Sequence, residues 1–241
     1  VSGTAYMQYN GTKKAVSLTL PANPFARTGY TLDSTNPWNS NSAGTGTAYK
    51  AQTAYSFTAN TTIYAKWNVN TYTVTIKSNN TAYGNVDKTS IANVPYNSIV
   101  TVSSNKITIN GTTVTATPAT KTVQYTYTFT SWSVSNGAKI TGATTITATF
   151  SQTVNKYTVT FDANGGTTPN PATITKDYNS EIGTLPTTTQ ANYVFDGWYT
   201  AKTGGTKIST TTKVTANVTY YAQWKSAEAR VLDGVDYIYY A

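Results

Sequence analysis

The sequence predicts a mainly β protein made of three tandem modules, and three observations lead there. Thr is the commonest residue, with many Tyr, Val, Ile and Asn, so side chains that suit a pleated, half-buried surface dominate. "YTVTIKSNN" from Tyr72 and "YTVTFDANGG" from Tyr157 alternate with the two-residue period of a strand that buries one face. A closing pattern then recurs three times: "IYAKW" ends at Trp67, "ITATF" at Phe150 and "YYAQW" at Trp224. Recurrence of this kind marks a repeat array whose small units rely on their neighbours for stability.

Each closing strand follows a Thr/Asn turn: "ANTT", "GATT" or "ANVT". Between opening and closing strands sits an aromatic pair, Phe129 with Trp132 in the second copy and Phe195 with Trp198 in the third. In the first copy Leu32 and Trp38 take that role, with a short insertion between them. Phe129, Trp132, Phe195 and Trp198, with Trp67 and Trp224, read as core. The glycines of "ANGG" and "TGG" read as turn positions needing positive φ. The modules therefore span 1–67, 68–151 (longer and divergent) and 152–225, followed by a tail at 226–241. The polar linkers "NVNT" and "SQTVNK" join them.

The two ends of the chain are mismatched. The distance from Tyr157 to Phe195, counted back from Leu32, falls before Val1, so the first module is expected to lack its opening strand. At the other end "KSAEAR" after Trp224 matches "SQTVNK" after Phe150 in length, and Val231 then starts "VLDGVDYIYYA" where a fourth opening strand belongs. A sheet missing a strand exposes unpaired backbone groups beside an open groove, which a strand from a partner can fill. The candidate inter-subunit donor strand comprises Val231, Leu232, Val235, Tyr237, Ile238, Tyr239 and Tyr240. Val235, Tyr237 and Tyr239 share one face, and Ile238 and Tyr240 the other. Two other readings stand beside strand donation: a piece of a longer array, and a tail folded back on its own third module.

Composition removes several function classes. The chain has 241 residues, no Cys and no His, so disulfides, thiolate chemistry and the commonest general base and metal ligand are absent. The nine acidic residues are scattered and form no acid/base pair. A net charge of +8 comes mostly from thinly spread Lys, unlike the clustered stripe of a nucleic-acid binder. It reads as a soluble cationic surface, or as one that attracts anionic cell-wall polymers or other acidic surfaces. No apolar run reaches membrane-spanning length and the start lacks a signal-peptide pattern, so neither membrane insertion nor nucleic acid is expected.

"YTVTFDANGG…YVFDGWYTAKTGGTKI…VTANVTYYAQW" resembles the Listeria–Bacteroides repeat, the B-repeat of internalin B-type surface proteins, over the whole third module. The first module matches from "NPFARTGY" to "YAKW", whereas the second has "SW" for "GW" and "ATF" for "AQW". The resemblance implies small β-grasp-like modules in exported microbial surface proteins, arranged as stalks, spacers or adhesive segments. It implies no catalytic residue, so no enzyme activity, cofactor or metal is expected. The expected role is extracellular and structural or adhesive. In its sharper form the protein is a pilus-like filament subunit that polymerises head to tail by C-terminal strand donation, with itself or neighbouring repeats as partner. The alternatives are a stalk fragment and a carbohydrate-binding module.

Smaller features carry weaker chemistry. Sequons at Asn10, Asn60, Asn79, Asn110 and Asn217 offer acceptors for N-glycans. Trp38, in the insertion of the first module, and Tyr199 are candidate stacking faces for glycans. "DGVD" resembles part of a calcium loop without its remaining ligands.

Overall fold

The computed structural model describes residues 16–232 and 235–240. All its regular elements are strands, and among the described residues there is no helix. The described chain forms two compact units. One contains the residues up to Thr117 together with Phe129–Phe150, and the other contains Pro118–Thr128 with the residues from Ser151 on.

In the first unit, the first module contributes β1 (Val16–Thr19), β2 (Tyr30–Leu32), β3 (Trp38–Asn39), β4 (Ala48–Tyr49), β5 (Ala54–Phe57), β6 (Tyr64–Ala65) and β7 (Trp67–Val69). They pair as β1 with β5, β2 with β7, and β4-β3-β6. Leu20, Trp38 and Ile63 form its small core, closed over by Leu18, Phe25, Tyr49, Tyr55 and Phe57.

The second module adds β8 (Thr71–Ser78), β9 (Gly84–Val86), β10 (Ser90–Pro95), β11 (Ser98–Ser103), β12 (Lys106–Ile109), β13 (Thr112–Pro118), β14 (Tyr125–Trp132), β15 (Lys139–Ile140) and β16 (Thr144–Val154). Its main sheet has the order β10-β8-β16-β14, and the central pair β8/β16 is parallel. The extra length of this module is a second sheet, β15-β11-β12-β13-β9. Its meander turns at Asn110-Gly111, where both residues adopt positive φ, as a tight hairpin requires. Val100, Ile107, Ile109 and Val114 pack this sheet against Val74, Ile76, Ile146 and Phe150 of the first.

In the second unit lie β17 (Lys156–Asp162), β18 (Thr173–Asp177), β19 (Tyr193–Tyr199), β20 (Val218–Leu232) and β21 (Val235–Tyr240). The order β18-β17-β20-β19 repeats that of the second module, and β17/β20 is again the parallel central pair. Along β17 the residues Val159 and Phe161 are buried and their neighbours are not, so the alternation in "YTVTF" is the pleat itself.

The registers show how the first module maps onto the third. Phe195 pairs with Trp224 and Trp198 with Ala222, while Leu32 pairs with Trp67 and Trp38 with Ala65. The two buried indoles also anchor alike: Trp38 Nε1 donates to Pro21 O at 3.0 Å and Trp198 Nε1 to Pro186 O at 2.8 Å. Trp132 of the divergent module is buried too, but its Nε1 has no acceptor. The expectation for "ANGG" needs a correction at one position. Gly165 does have positive φ, but Gly166 is needed for space, because a Cβ there would lie 2.4 Å from Trp224 Cζ2. Gly84 does the same beneath Phe150, where a Cβ would meet Cδ1 at 2.5 Å.

This contrast predicts how the tryptophans tolerate substitution. Trp198→Ala is expected to destabilise its unit by about 3–5 kcal/mol, and Trp198→Phe by about 1–3 kcal/mol, since a buried carbonyl loses its donor. Trp132→Phe, which removes a donor that has no acceptor, is expected to cost less than Trp198→Phe. Denaturant unfolding of the three variants checks the order.

Candidate functional site

The polar linkers form the same clasp twice. Asn70 N donates to Gly29 O at 3.0 Å, Asn70 O accepts from Tyr96 N at 2.8 Å, and Asn70 Oδ1 accepts from Thr31 Oγ1 at 2.6 Å. In the second unit, Asn155 N donates to Gln124 O at 2.9 Å, its O accepts from Tyr178 N at 2.8 Å, and its Oδ1 accepts from Thr126 Oγ1 at 2.6 Å. Asn155 Nδ2 also reaches Thr122 O and Val123 O, leaving this 9%-exposed amide fully bonded. Each Asn lies two residues before the Tyr of an opening strand, and each Tyr that donates to it begins a "YNS" triplet. Gly29 is compelled at the first clasp, since φ is +78° and a Cβ would sit 2.0 Å from Tyr96 Cδ1.

A third copy of this geometry starts the tail. Ala227, three residues after Trp224 as Asn70 is after Trp67, donates its N–H to Asn192 O at 3.1 Å. Asn192 has φ of +65°, matching Gly29, and Tyr193 follows it as Tyr30 follows Gly29. Ala227 pairs with Tyr240, as Asn70 and Asn155 bond to Tyr96 and Tyr178. Ala and Val194 replace the clasp Asn and its Thr, so only backbone bonds remain. Tyr193 is 47% exposed.

The candidate donor residues Val231, Leu232, Val235, Tyr237, Ile238, Tyr239 and Tyr240 all fall in one antiparallel hairpin of β20 with β21, running from Ala227↔Tyr240 to Leu232↔Val235. In this chain the tail therefore pairs with an extension of its own closing strand. Beyond Ala227, β20 has β21 on one edge and no partner on the other among the described residues. In the first module the corresponding edge is likewise without a partner among the described residues. Its closing strands β6 and β7 pair only with β3 and β2, and among the described residues nothing occupies the parallel position that β8 and β17 take in the other modules. The expected lack of an opening strand concerns residues before Val16, which lie outside the described residues.

Trp38 is corrected as a glycan platform. It is 1% exposed, with Phe25 packed edge-on at 6.1 Å, so the ring belongs to the small core of the module instead of facing solvent. Tyr199 is half-buried and pairs across the strands with Tyr221. Its hydroxyl donates to Asp196 Oδ2 at 2.6 Å, and Lys207 Nζ lies 5.7 Å from the ring centroid. Of the sequons, Asn10 lies outside the described residues, while Asn60, Asn79, Asn110 and Asn217 are exposed. Asn79 bonds both backbone groups of Phe150, and Asn217 Oδ1 accepts from Thr158 N. Among the described residues no group of three or more potential metal ligands gathers.

Asp196 is the most perturbed acid. The Tyr199 hydroxyl, followed by Lys225 and Lys207, lowers it to about 2 against a smaller opposing effect of burial. Asp33 is lowered as well, first by the Asn36 backbone amide and then by Lys66. Both carboxylates follow the first aromatic-pair position, so the acid in "FDGW" and "LDST" fastens the closing strand to its neighbour.

The class defined by this fold is an all-β tandem-repeat protein whose second and third modules share one strand order and whose junctions are of one type. The family model of the Listeria-Bacteroides repeat domain matches residues 2–66 and 157–223. The chain belongs to this repeat family of microbial surface proteins. Internalin H of Listeria monocytogenes serovar 1/2a (strain ATCC BAA-679 / EGD-e) is 39% identical over 110 residues. The match covers 41% of this chain and 19% of Internalin H, so the chain corresponds to a minor part of that relative. No solved structure matches.

Two outcomes are expected. Asn155→Ala should cost about 1–3 kcal/mol and speed amide exchange at 122–126, because it removes the side-chain clasp and leaves carbonyls without their donor. The Asp196 pKa is depressed in the folded state, so its contribution is complete above the unfolded value of about 4 and fades as pH falls toward 2. Thermal melts of wild type and Asp196→Asn should therefore differ at pH 5 and converge near pH 2.

Proposed function

We propose that the chain is a structural repeat protein of a microbial surface whose copies join head to tail, the C-terminal segment of one completing the first module of the next. The observation that carries this reading is complementarity. Residues 227–240 add two strands beyond the last closing strand, while the first closing strand has an unoccupied edge among the described residues. Family membership supports the surface location, and the repeat architecture supports a mechanical role over a catalytic one. A join between unlike surfaces leaves each end free for another copy, so it builds open filaments. Chains of net charge +8 would also present a cationic surface to anionic cell-wall polymers.

A second reading is a stalk segment within a longer surface protein. It is favoured by the third junction, whose backbone bonds follow those of the two internal ones as they would in a continuing array. Glycan binding has less support, since one of its two aromatic candidates is buried.

The assembly state of the full chain against a version ending at Ser226 tests the proposal. Light scattering and negative-stain microscopy should show long oligomers for the full chain and monomers for the truncation. Equal monomers of equal stability would leave the stalk reading in its place.

A further inference from the structure

We infer that the tail is the opening hairpin of a further repeat module, and that its unpaired edge takes the first module's closing strand in a second copy. This rests on the head-to-tail reading and specifies its joint. The order of positions carries it. Asn70, Asn155 and Ala227 occupy one place, fixed by the carbonyl each bonds and the Tyr each pairs with. From there β8 and β17 run as opening strands, and β20 runs on from Ala227 in the same way. The next position pairs with Pro95 in β10, with Asp177 in β18 and with Tyr239 in β21. β21 is therefore the counterpart of the strands that flank β8 and β17. The tail is a two-stranded piece of a module, and a single donated strand does not describe it.

In the complete modules the other edge of the opening strand receives the closing strand in parallel. Val74 opposes Thr144 and Val159 opposes Val218. Val231 holds the position of Val74 and Val159, four residues past the junction. Thr61 holds the position of Thr144 and Val218, two residues before the buried Ile63, Ile146 and Tyr220. The joint thus places Val231 of one copy opposite Thr61 of the next, and Leu232 opposite Thr62. A module core of the same family is the occupant that fits, and the first module of a second copy offers an edge that is vacant among the described residues. The hairpin supplies two ladder positions before it turns back, against four in β17/β20 and five in β8/β16. The joint is consequently weaker than a module's own closure, and it forms reversibly with concentration. Loss of the side-chain clasp at Ala227 and Val194 leaves the hairpin base held by backbone alone, which lets it adjust on docking.

The absence of cysteine makes a cross-linking test clean. Val231→Cys/Thr61→Cys should give a ladder of disulfide-linked oligomers on mild oxidation, whereas Val231→Cys/Ser56→Cys, with its second cysteine on β5, should not. Assembly of each variant is followed by light scattering before oxidation. Wild-type filaments with no ladder, or with equal ladders from both pairs, overturn the hairpin joint and leave the head-to-tail reading standing. Monomers at every concentration overturn both. As a second arm, Val194→Thr/Ala227→Asn should restore the clasp and slow amide exchange at the hairpin base at least several-fold. Unchanged exchange would sink the equivalence of the three junctions.

Discussion

The parallel pairing of opening strand to closing strand is the constraint on which the other features depend. In both complete modules the two strands farthest apart in sequence lie side by side at the centre of the sheet. The hairpin-like contacts of β17 with β18 and of β19 with β20 are more local, but the central pair must close nearly the whole module as a loop. That closure costs chain entropy before any contact rewards it. The reward is burial: Val74, Ile76, Ile146 and Ala148 are all inaccessible on the face they share. A module is thus a cooperative body only when both of its ends are in place, which is why an unfilled central position is consequential where a missing edge strand would be minor.

Around this pair, large and absent side chains are matched. Trp224 and Phe150 close their modules by lying over Gly166 and Gly84, so each ring and each glycine describe one feature from two positions. The indoles one layer further in are fixed by single hydrogen bonds to proline carbonyls in the first and third modules. The second module has kept its indole and lost the acceptor, and it has gained a five-stranded sheet that supplies much of its core. In that module a larger apolar core stands where the other two have a directional contact.

Much of the fold was legible because it rests on periodicity and on aromatic spacing. Leu32 and Trp38 were read as the counterparts of Phe195 and Trp198, and their cross-strand partners, Trp67 and Ala65 against Trp224 and Ala222, are equivalent. What the sequence hid were contacts made by polar residues in linkers. Asn70 and Asn155 look like ordinary loop residues, and only the shared "YNS" triplet hinted that a distant Tyr bonds each of them. The insertion before Trp38 suggests exposure, whereas Pro21 and Phe25, from the segment ahead of β2, enclose the ring. The tail's hairpin was hidden for another reason. Its strand pairing depends on continuation of β20 past a closing motif, and no pattern in the motif signals that continuation.

The direction of the central strands also sets how a module carries tension. The chain enters at the start of β17 and leaves past the end of its parallel neighbour, β20. A pull on the two ends draws these strands in opposite senses along their common axis. The ladder bonds between them are then loaded together in shear, whereas a hairpin pulled at its open end yields one bond at a time. Rupture requires several bonds to fail at once, so the module resists stretching far more than its modest core would suggest.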